Sequence, residues 1–378
     1  MKLCFSIFKY FPYGGLQGDF LRIATECLNR GHEVIVYTRS WDGAIPEGFD
    51  VRLIKTRAIT NHGKAIAYYK QLQQELKSHP VSGIIGFNRM PGLDVYFAGD
   101  NCIAEKARME RNIFYRTFSP RFRTYCAMEK AVFAPSAQTE ILILTERQKK
   151  DFITHYGTQE QRFHLLPPGI PEDRKRLPDA DKIRLETREK NGIAKDDIVL
   201  IQVGSGFITK GVDRSIRAVA ALPESIRRKT KLWIVGKDNS HKFVKLSQKL
   251  GIDMQVKFLG GCNNIPELLA AADLMIHPAI NESAGGVLLE ALTAGLPVLC
   301  SAACGYAGYI EKSGAGKVTP EPFSQANLNL TLTELLKDDL SVIGEKGYQF
   351  AISTDFYNSH KVATDIIEKT IAAKNILN

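Results

Sequence analysis

Two glutamates stand eight positions apart, Glu282 and Glu290, with Ala284, Gly285 and Gly286 between them, in a stretch running from His277-Pro278 to Gly295-Leu296-Pro297. The apolar spacing puts Glu282 in a loop after a strand, the glycines at a helix start, and Glu290 one to two turns into that helix. Glycines at a helix start let backbone N–H groups approach an anion, and the helix N-terminus adds partial positive charge. A diphosphate suits that place. Glu290 shares a helix face with Gly286 and Thr293, so the surface beside its carboxylate is bare and open to a sugar diol. The same pattern also fits a Glu290 that faces solvent while Val287, Leu288, Ala291 and Leu292 pack inward, so the spacing alone is a weak signal.

A second group lies near the start of the chain, where Gly14 and Gly15 follow Pro12-Tyr13. Two glycines there make a plain turn or let the backbone approach a ligand. Asp19 opens the next expected helix, where an aspartate at the N-cap or in the first turn contributes about 0.5–2 kcal/mol. His277, before Pro278 at a strand end, reads as structural, and His62, between Asn61 and Gly63, reads as a loop residue. Asp100 follows the strand-like run that ends at Phe97-Ala98 and fits a turn or cap at least as well as a ligand contact.

The elements that must position these residues alternate between strand and helix. Leu3–Phe8 reads as a strand, Asp19–Arg30 as a helix with Phe20, Ile23, Ala24, Cys27 and Leu28 on one face, and Glu33–Thr38 as the next strand, with further strands at Gly83–Phe87 and Ile141–Thr145. Pro167-Pro168-Gly169-Ile170-Pro171 interrupts every period. After it the alternation restarts, with strands at Ile198–Val203, Leu232–Val235, Val256–Leu259, Leu274–His277 and Pro297–Cys300, and helices from Asp213, near Lys242–Leu250, at Ile265–Ala272 and at Gly286–Ala294. Near-continuous apolar strands, each followed by a helix, imply parallel sheets covered on both faces. The expected fold is α/β, with two Rossmann-like doubly wound domains facing across a cleft and ligands outside the carboxyl ends of the strands. The expected boundaries are 1–167, 168–354, and a C-terminal helix over 355–378 that packs back on the first domain.

A chain of 378 residues exceeds the size of one ordinary core, and 44% hydrophobic with 24% charged residues is globular composition. No apolar run approaches the roughly 20 residues of a membrane span, and Leu3–Phe8 is too short for a secretory signal. Seven cysteines, an odd count with most of them in apolar patterns, read as reduced thiols in or near the cores. Cys300-x3-Cys304 lacks a second pair and a nearby histidine, so no metal site is expected. The net charge of +9 favours an acidic partner, whether nucleic acid, anionic lipid or a phosphorylated substrate.

Glu282-x7-Glu290 followed by Ala291-Leu292-x-Ala294-Gly295-Leu296-Pro297-Val298 resembles the signature of the retaining GT-B glycosyltransferases grouped as family four. Tyr10 to Phe20, Asn61-His62-Gly63, Gly86 to Asp94, Pro167 to Ile170 and Lys210-Gly211-Val212-Asp213-Arg214-Ser215 are similar to the lipopolysaccharide core enzymes that add the first glucose to inner-core heptose. The resemblance runs nearly end to end. It implies transfer of glucose from UDP-glucose with retention and without a metal or other cofactor; same-face internal return is the route the family is usually assigned, a covalent intermediate on a carboxylate stays open beside it, and galactose or N-acetylhexosamine stays open as the hexose. It places the ribose hydroxyls on Glu290, the donor hexose by Glu282 and the backbone around Ala284, Gly285 and Gly286, the Gly14-Gly15 loop near the donor phosphates, and Asp19 at the reacting centre. Asp100 and His62 become acceptor-side candidates. The family uses an arginine and, five residues later, a lysine on the diphosphate; this chain keeps Lys210 and has Ser205 in the arginine's place, so charge neutralisation rests more heavily on Lys210.

Between Glu105 and Lys130 lie seven basic residues, Lys106, Arg108, Arg111, Arg116, Arg121, Arg123 and Lys130, against three acids, so the segment holds +4 of the +9. Phe114, Phe118 and Phe122 recur every four residues, although Ser119-Pro120 is expected to end one helix and start another. That pattern suits a surface that inserts aromatics and offers arginine to anionic headgroups. A solvated basic face over core aromatics ranks second, and a nucleic-acid groove last. The expected partners are thus a nucleotide sugar, a lipopolysaccharide acceptor and the cytoplasmic face of a bacterial inner membrane, not nucleic acid. A sugar-nucleotide epimerase of the same fold and a non-catalytic glycan- or lipid-binding scaffold are the alternatives.

Overall fold

The structure, a computed structural model, describes residues 1–12, 14–110 and 112–377, and the side chains of all of these except 109, 110 and 377. It divides into two compact units, one of residues 1–169 with 358–378 and one of 170–357. These divisions fall two and three residues beyond the boundaries expected from the sequence.

The first unit is built on seven parallel strands, β1 (Lys2–Ser6), β2 (Glu33–Thr38), β3 (Phe49–Leu53), β4 (Gly83–Gly86), β5 (Val95–Ala98), β6 (Glu140–Ile143) and β7 (Phe163–Leu165), in the order β3-β2-β1-β4-β5-β6-β7. The second has six, β8 (Ile198–Val203), β9 (Thr230–Val235), β10 (Val256–Gly260), β11 (Leu274–His277), β12 (Val298–Ser301) and β13 (Gly316–Thr319), ordered β10-β9-β8-β11-β12-β13. In each, the order reverses at the first strand, the doubly wound arrangement whose ligands gather at that switch point. β1 and β4 flank the first switch point, and β8 and β11 the second. Each sheet carries a separate apolar cluster on either face, as buried parallel strands require.

The sequence misses β3, β7 and β13, short strands at sheet edges whose polar residues interrupt the apolar run, such as Asp50 and Arg52 in β3. The first helix also differs. It runs Gly15–Asn29, capped by Gly14, so Asp19 lies in its second turn and is neither an N-cap nor a first-turn residue. The glycine pair makes that start invisible to propensity, yet the Gly18 amide already bonds the Gly14 carbonyl at 2.9 Å. The end is as expected: Gly31, at φ +83°, follows the C-cap Arg30, and the His32 amide returns to the Cys27 carbonyl at 3.1 Å. His62 is helical too, as the second residue of Asn61–Ser78, whose N-cap Thr60 accepts from the Gly63 amide at 3.1 Å.

The helix Ser359–Leu377 belongs to the first unit and packs on Gly15–Asn29. Ala363, Ile367 and Ile371 are fully buried in the core beneath β1 and β4. Gly83 in β4 has no side chain because Ile371 occupies its place; a Cβ there would meet Ile371 Cδ1 at 2.3 Å. Arg30 fastens the helix from outside, donating to Asp365 at 2.6 Å and Glu368 at 2.9 Å, and His32 Nε2 lies 2.6 Å from Glu368. Among the described residues all seven cysteines are free thiols, five of them buried.

Candidate functional site

In the second unit the residues of interest follow the two strands at the switch point. Beyond β8 comes the loop with Ser205 and Lys210, and beyond β11 the loop with Glu282, Ala284 and Gly285. These loops are tied to each other. The Ile280 amide donates to the Thr209 carbonyl at 2.8 Å, and the Arg214 guanidinium donates to the Pro278 and Ala279 carbonyls at 3.1 and 3.2 Å. Gly211 takes φ +69°, and a Cβ there would strike the Pro278 carbonyl at 2.2 Å, so only glycine permits this approach. From the far side, Ser301 Oγ donates to the Ala279 carbonyl at 2.7 Å and the Tyr306 amide to the Ala284 carbonyl at 2.8 Å.

The side chains meet at Glu282. The Lys210 ammonium donates to its Oε2, and His277 Nε2 lies 3.3 Å from the same oxygen. Burial pushes the Lys210 ammonium down to about 8, which leaves it charged at neutral pH, while the nearby Cys304 sulfur works weakly the other way. Burial, reinforced by the Lys210 charge, pushes His277 down to about 3, so its ring is neutral. Gln202 steadies the lysine from below, its Nε2 donating to the Lys210 carbonyl at 2.6 Å.

Gly285, at φ +90°, is the N-cap of the helix Gly286–Ala294, and as a glycine it has no side chain with which to cap the helix's leading amides. Glu290 stands on the second turn with 18% of its side chain exposed, 3.9 Å from Arg174 Nε. Thr293 faces inward: its Oγ1 donates to the Glu290 and Arg174 carbonyls at 2.8 and 3.0 Å, which holds the Arg174 segment against this helix. Ser205 is exposed, and its Oγ accepts from the Lys237 amide at 3.1 Å, the bond of a turn residue. The second unit thus brings together Lys210, Glu282 and, on the adjoining helix, Glu290. Sequence reasoning missed Arg174, Gln202 and Arg214 and set His277 aside as structural; only the position of His277 at a strand end pointed to it.

In the first unit Gly14, Gly15 and Asp19 follow β1 at its switch point. The Tyr10 and Trp41 rings stack at 3.9 Å and the Tyr10 amide bonds the Ser40 carbonyl at 2.9 Å, which anchors the approach to the glycines. Asp19 lies one turn after Gly15, on the same helix face. It accepts from Arg22 at 2.5 Å, yet burial prevails and lifts its carboxyl to about 6.

Asp100 is exposed, and its carbonyl, like that of Asn101, accepts from Arg89. The basic stretch forms three helices, Ile103–Glu110, Ile113–Phe118 and Pro120–Phe133, with Ser119 closing the second and capping the third. Phe114 and Phe118 are 70% and 72% exposed, beside an exposed Ile113. Phe122 departs from that stripe: it lies on the next helix, half-buried, its ring 6.1 Å from that of Tyr115. Lys106, Arg121 and Arg123 are exposed, Arg116 is half-buried, and Arg108 is paired with Glu105 at 2.7 Å. Arg111 lies outside the described residues. Glu129, one of the three acids counted in that segment, is fully buried and accepts from the Ile103 and Ala104 amides and from the Tyr156 hydroxyl at 2.6 Å.

Among the described residues no helix is long and apolar enough to cross a membrane, and no group of three or more His, Cys, Asp or Glu is placed to hold a metal ion.

Comparison with known proteins adds to this geometry. The profile of the family described as "Glycosyl transferases group 1" matches residues 183–350, which include Lys210, Glu282 and Glu290. The chain is 48% identical to the lipopolysaccharide glucosyltransferase WaaG of Escherichia coli K12 over 97% of its own length and 98% of that protein's. A crystal structure of WaaG superposes with a TM-score of 0.92, covering 97% of this chain and 99% of that one. Anabaena HepE in complex with UDP and glucose has a TM-score of 0.74 at 21% identity, covering 99% and 100% of the two chains, a likeness of fold.

Proposed function

The chain belongs to the group 1 glycosyl transferases, with the two Rossmann-like sheets of the GT-B fold, and on that premise we propose that it transfers glucose from UDP-glucose to heptose of the lipopolysaccharide inner core. The end-to-end identity to WaaG carries this reading. Neither the epimerase nor the binding-scaffold alternative finds support in any relative described above.

In the second unit Glu290 takes the ribose hydroxyls, and the uncapped start of Gly286–Ala294 together with Lys210 takes the diphosphate. Glu282 and the backbone at Ala284, Gly285 and Gly286 border the hexose. In the first unit Gly14 and Gly15 serve the phosphates and Asp19 the reacting centre. The bond from the anomeric carbon to the phosphate oxygen breaks as the bond to the heptose hydroxyl forms on the same face, and the hydroxyl proton passes to the departing phosphate. Lys210 and the helix dipole stabilise the negative charge that leaves, so the scheme calls on no metal ion. The exposed Ile113, Phe114 and Phe118, among the basic side chains of their neighbours, set the enzyme against the anionic cytoplasmic face of the inner membrane, where its acceptor is anchored. Asp100 lies on the acceptor side.

The test is to incubate the purified protein with radiolabelled UDP-glucose and heptose-terminated lipopolysaccharide, with and without EDTA. Label should pass to the lipopolysaccharide in both. Absence of transfer together with absence of UDP release sinks the function.

A further inference from the structure

His277 ends β11 with its side chain fully buried. Its Nε2 faces Glu282 Oε2 at 3.3 Å, and its Nδ1 has no hydrogen-bond partner among the described residues. A buried imidazole with one nitrogen unsatisfied is a costly way to fill a core position, since an apolar side chain of similar size packs without a polar atom to bury. The ring is neutral, and a carboxylate oxygen only accepts, so the single ring proton sits on Nε2 and points at Glu282.

Glu282 Oε2 therefore has two donors, the imidazole and the Lys210 ammonium, while Oε1 has no protein partner among the described residues. The two donors differ in mobility. Lys210 is long and flexible, and a diphosphate competes for it. The imidazole sits on a central strand and cannot follow. We propose that His277 is a positioning residue for the transfer: its Nε2–H holds the Glu282 carboxylate in place when Lys210 turns to the donor's diphosphate, and so keeps Oε1 directed at the hexose. This rests on the placement of Glu282 beside the hexose given above. The backbone of the Glu282 loop does not depend on the imidazole, because Arg214, Ser301 and the Thr209 carbonyl hold it.

The test compares His277→Met with His277→Gln. Both are unbranched and of similar length, and only glutamine carries an N–H donor near the Nε2 position. Transfer from UDP-glucose is measured under steady state and UDP binding by calorimetry, with thermal unfolding of each variant. Loss of a hydrogen bond to a charged group predicts a kcat about ten- to a hundredfold lower for His277→Met, with the Kd for UDP within about twofold of wild type. His277→Gln should recover most of that loss. Equal kcat in wild type and His277→Met overturns the proposal, as does an equal fall in both variants or a loss carried by UDP affinity, each of which marks a packing role. A wild type that transfers nothing overturns the function itself, and the positioning role with it.

Discussion

Asp19 is a residue whose position works against the stability of its own domain. Its carboxyl has an ordinary pKa of 3.8 and is raised to about 6 in the folded protein, so the folded state holds that proton more tightly than the unfolded one. Stability therefore falls as the pH rises from about 4 through about 6, and the full cost, up to about 3 kcal/mol, is present at neutral pH. Asp19→Asn should unfold at higher temperature than wild type at pH 7, lose that advantage below pH 4, and lose transfer activity. An Asn variant that is less stable at pH 7 would falsify the placement. Glu290 makes a separate prediction. Glu290→Gln should weaken UDP binding about tenfold or more, as expected for a hydrogen bond to a charged group; unchanged affinity by calorimetry would take the ribose away from this residue.

At the scale of elements, Glu129 joins two helices of the basic stretch. It lies on Pro120–Phe133 yet receives the leading amides of Ile103–Glu110, and Arg89 stands 3.0 Å from its carboxylate. Glu129→Leu leaves Arg89 buried without its counter-ion, a change that costs about 3–5 kcal/mol. Hydrogen exchange at the Ile103 and Ala104 amides should speed up with it, and exchange there at the wild-type rate would count against the tie. The helix Ile113–Phe118 calls for a different measurement. Phe114→Ser with Phe118→Ser should reduce binding to anionic vesicles more than tenfold, because each phenyl group transfers about 2 kcal/mol of apolar surface. Equal binding of wild type to neutral and anionic vesicles would remove the electrostatic part of the argument. The sequence already contained the helix Gly286–Ala294 to the residue, because glycines bound both of its ends and its interior is apolar. It did not contain the contact of His277 with Glu282 or the burial of Glu129. The loop that brings the first pair together is shaped by Arg214 and Ser301, and the partners of Glu129 lie 25 to 40 residues away along the chain. Local spacing carries periodicity and caps; contacts closed through distant loops leave no periodic trace.

For the whole molecule, the telling feature is that the first unit is assembled from two separated pieces of chain. Ile371 fills the place that Gly83 leaves open, and Ile371→Ala should cost about 2–5 kcal/mol. That loss should appear in the unfolding of residues 1–169 with 358–378, and not in that of residues 170–357; hydrogen exchange that speeds up equally in both would speak against the division. The arrangement also orders events during synthesis. The 188 residues from Ile170 to Tyr357 form one uninterrupted unit, and at about 5–20 residues per second they take roughly 10 to 40 seconds to make. Throughout that interval β1 and β4 are already made, and the apolar face that Ala363, Ile367 and Ile371 will cover is bare. A ribosome that stalls in this stretch leaves a nascent chain whose first unit exposes that surface to chaperones and proteases until Ser359–Leu377 is made and covers it.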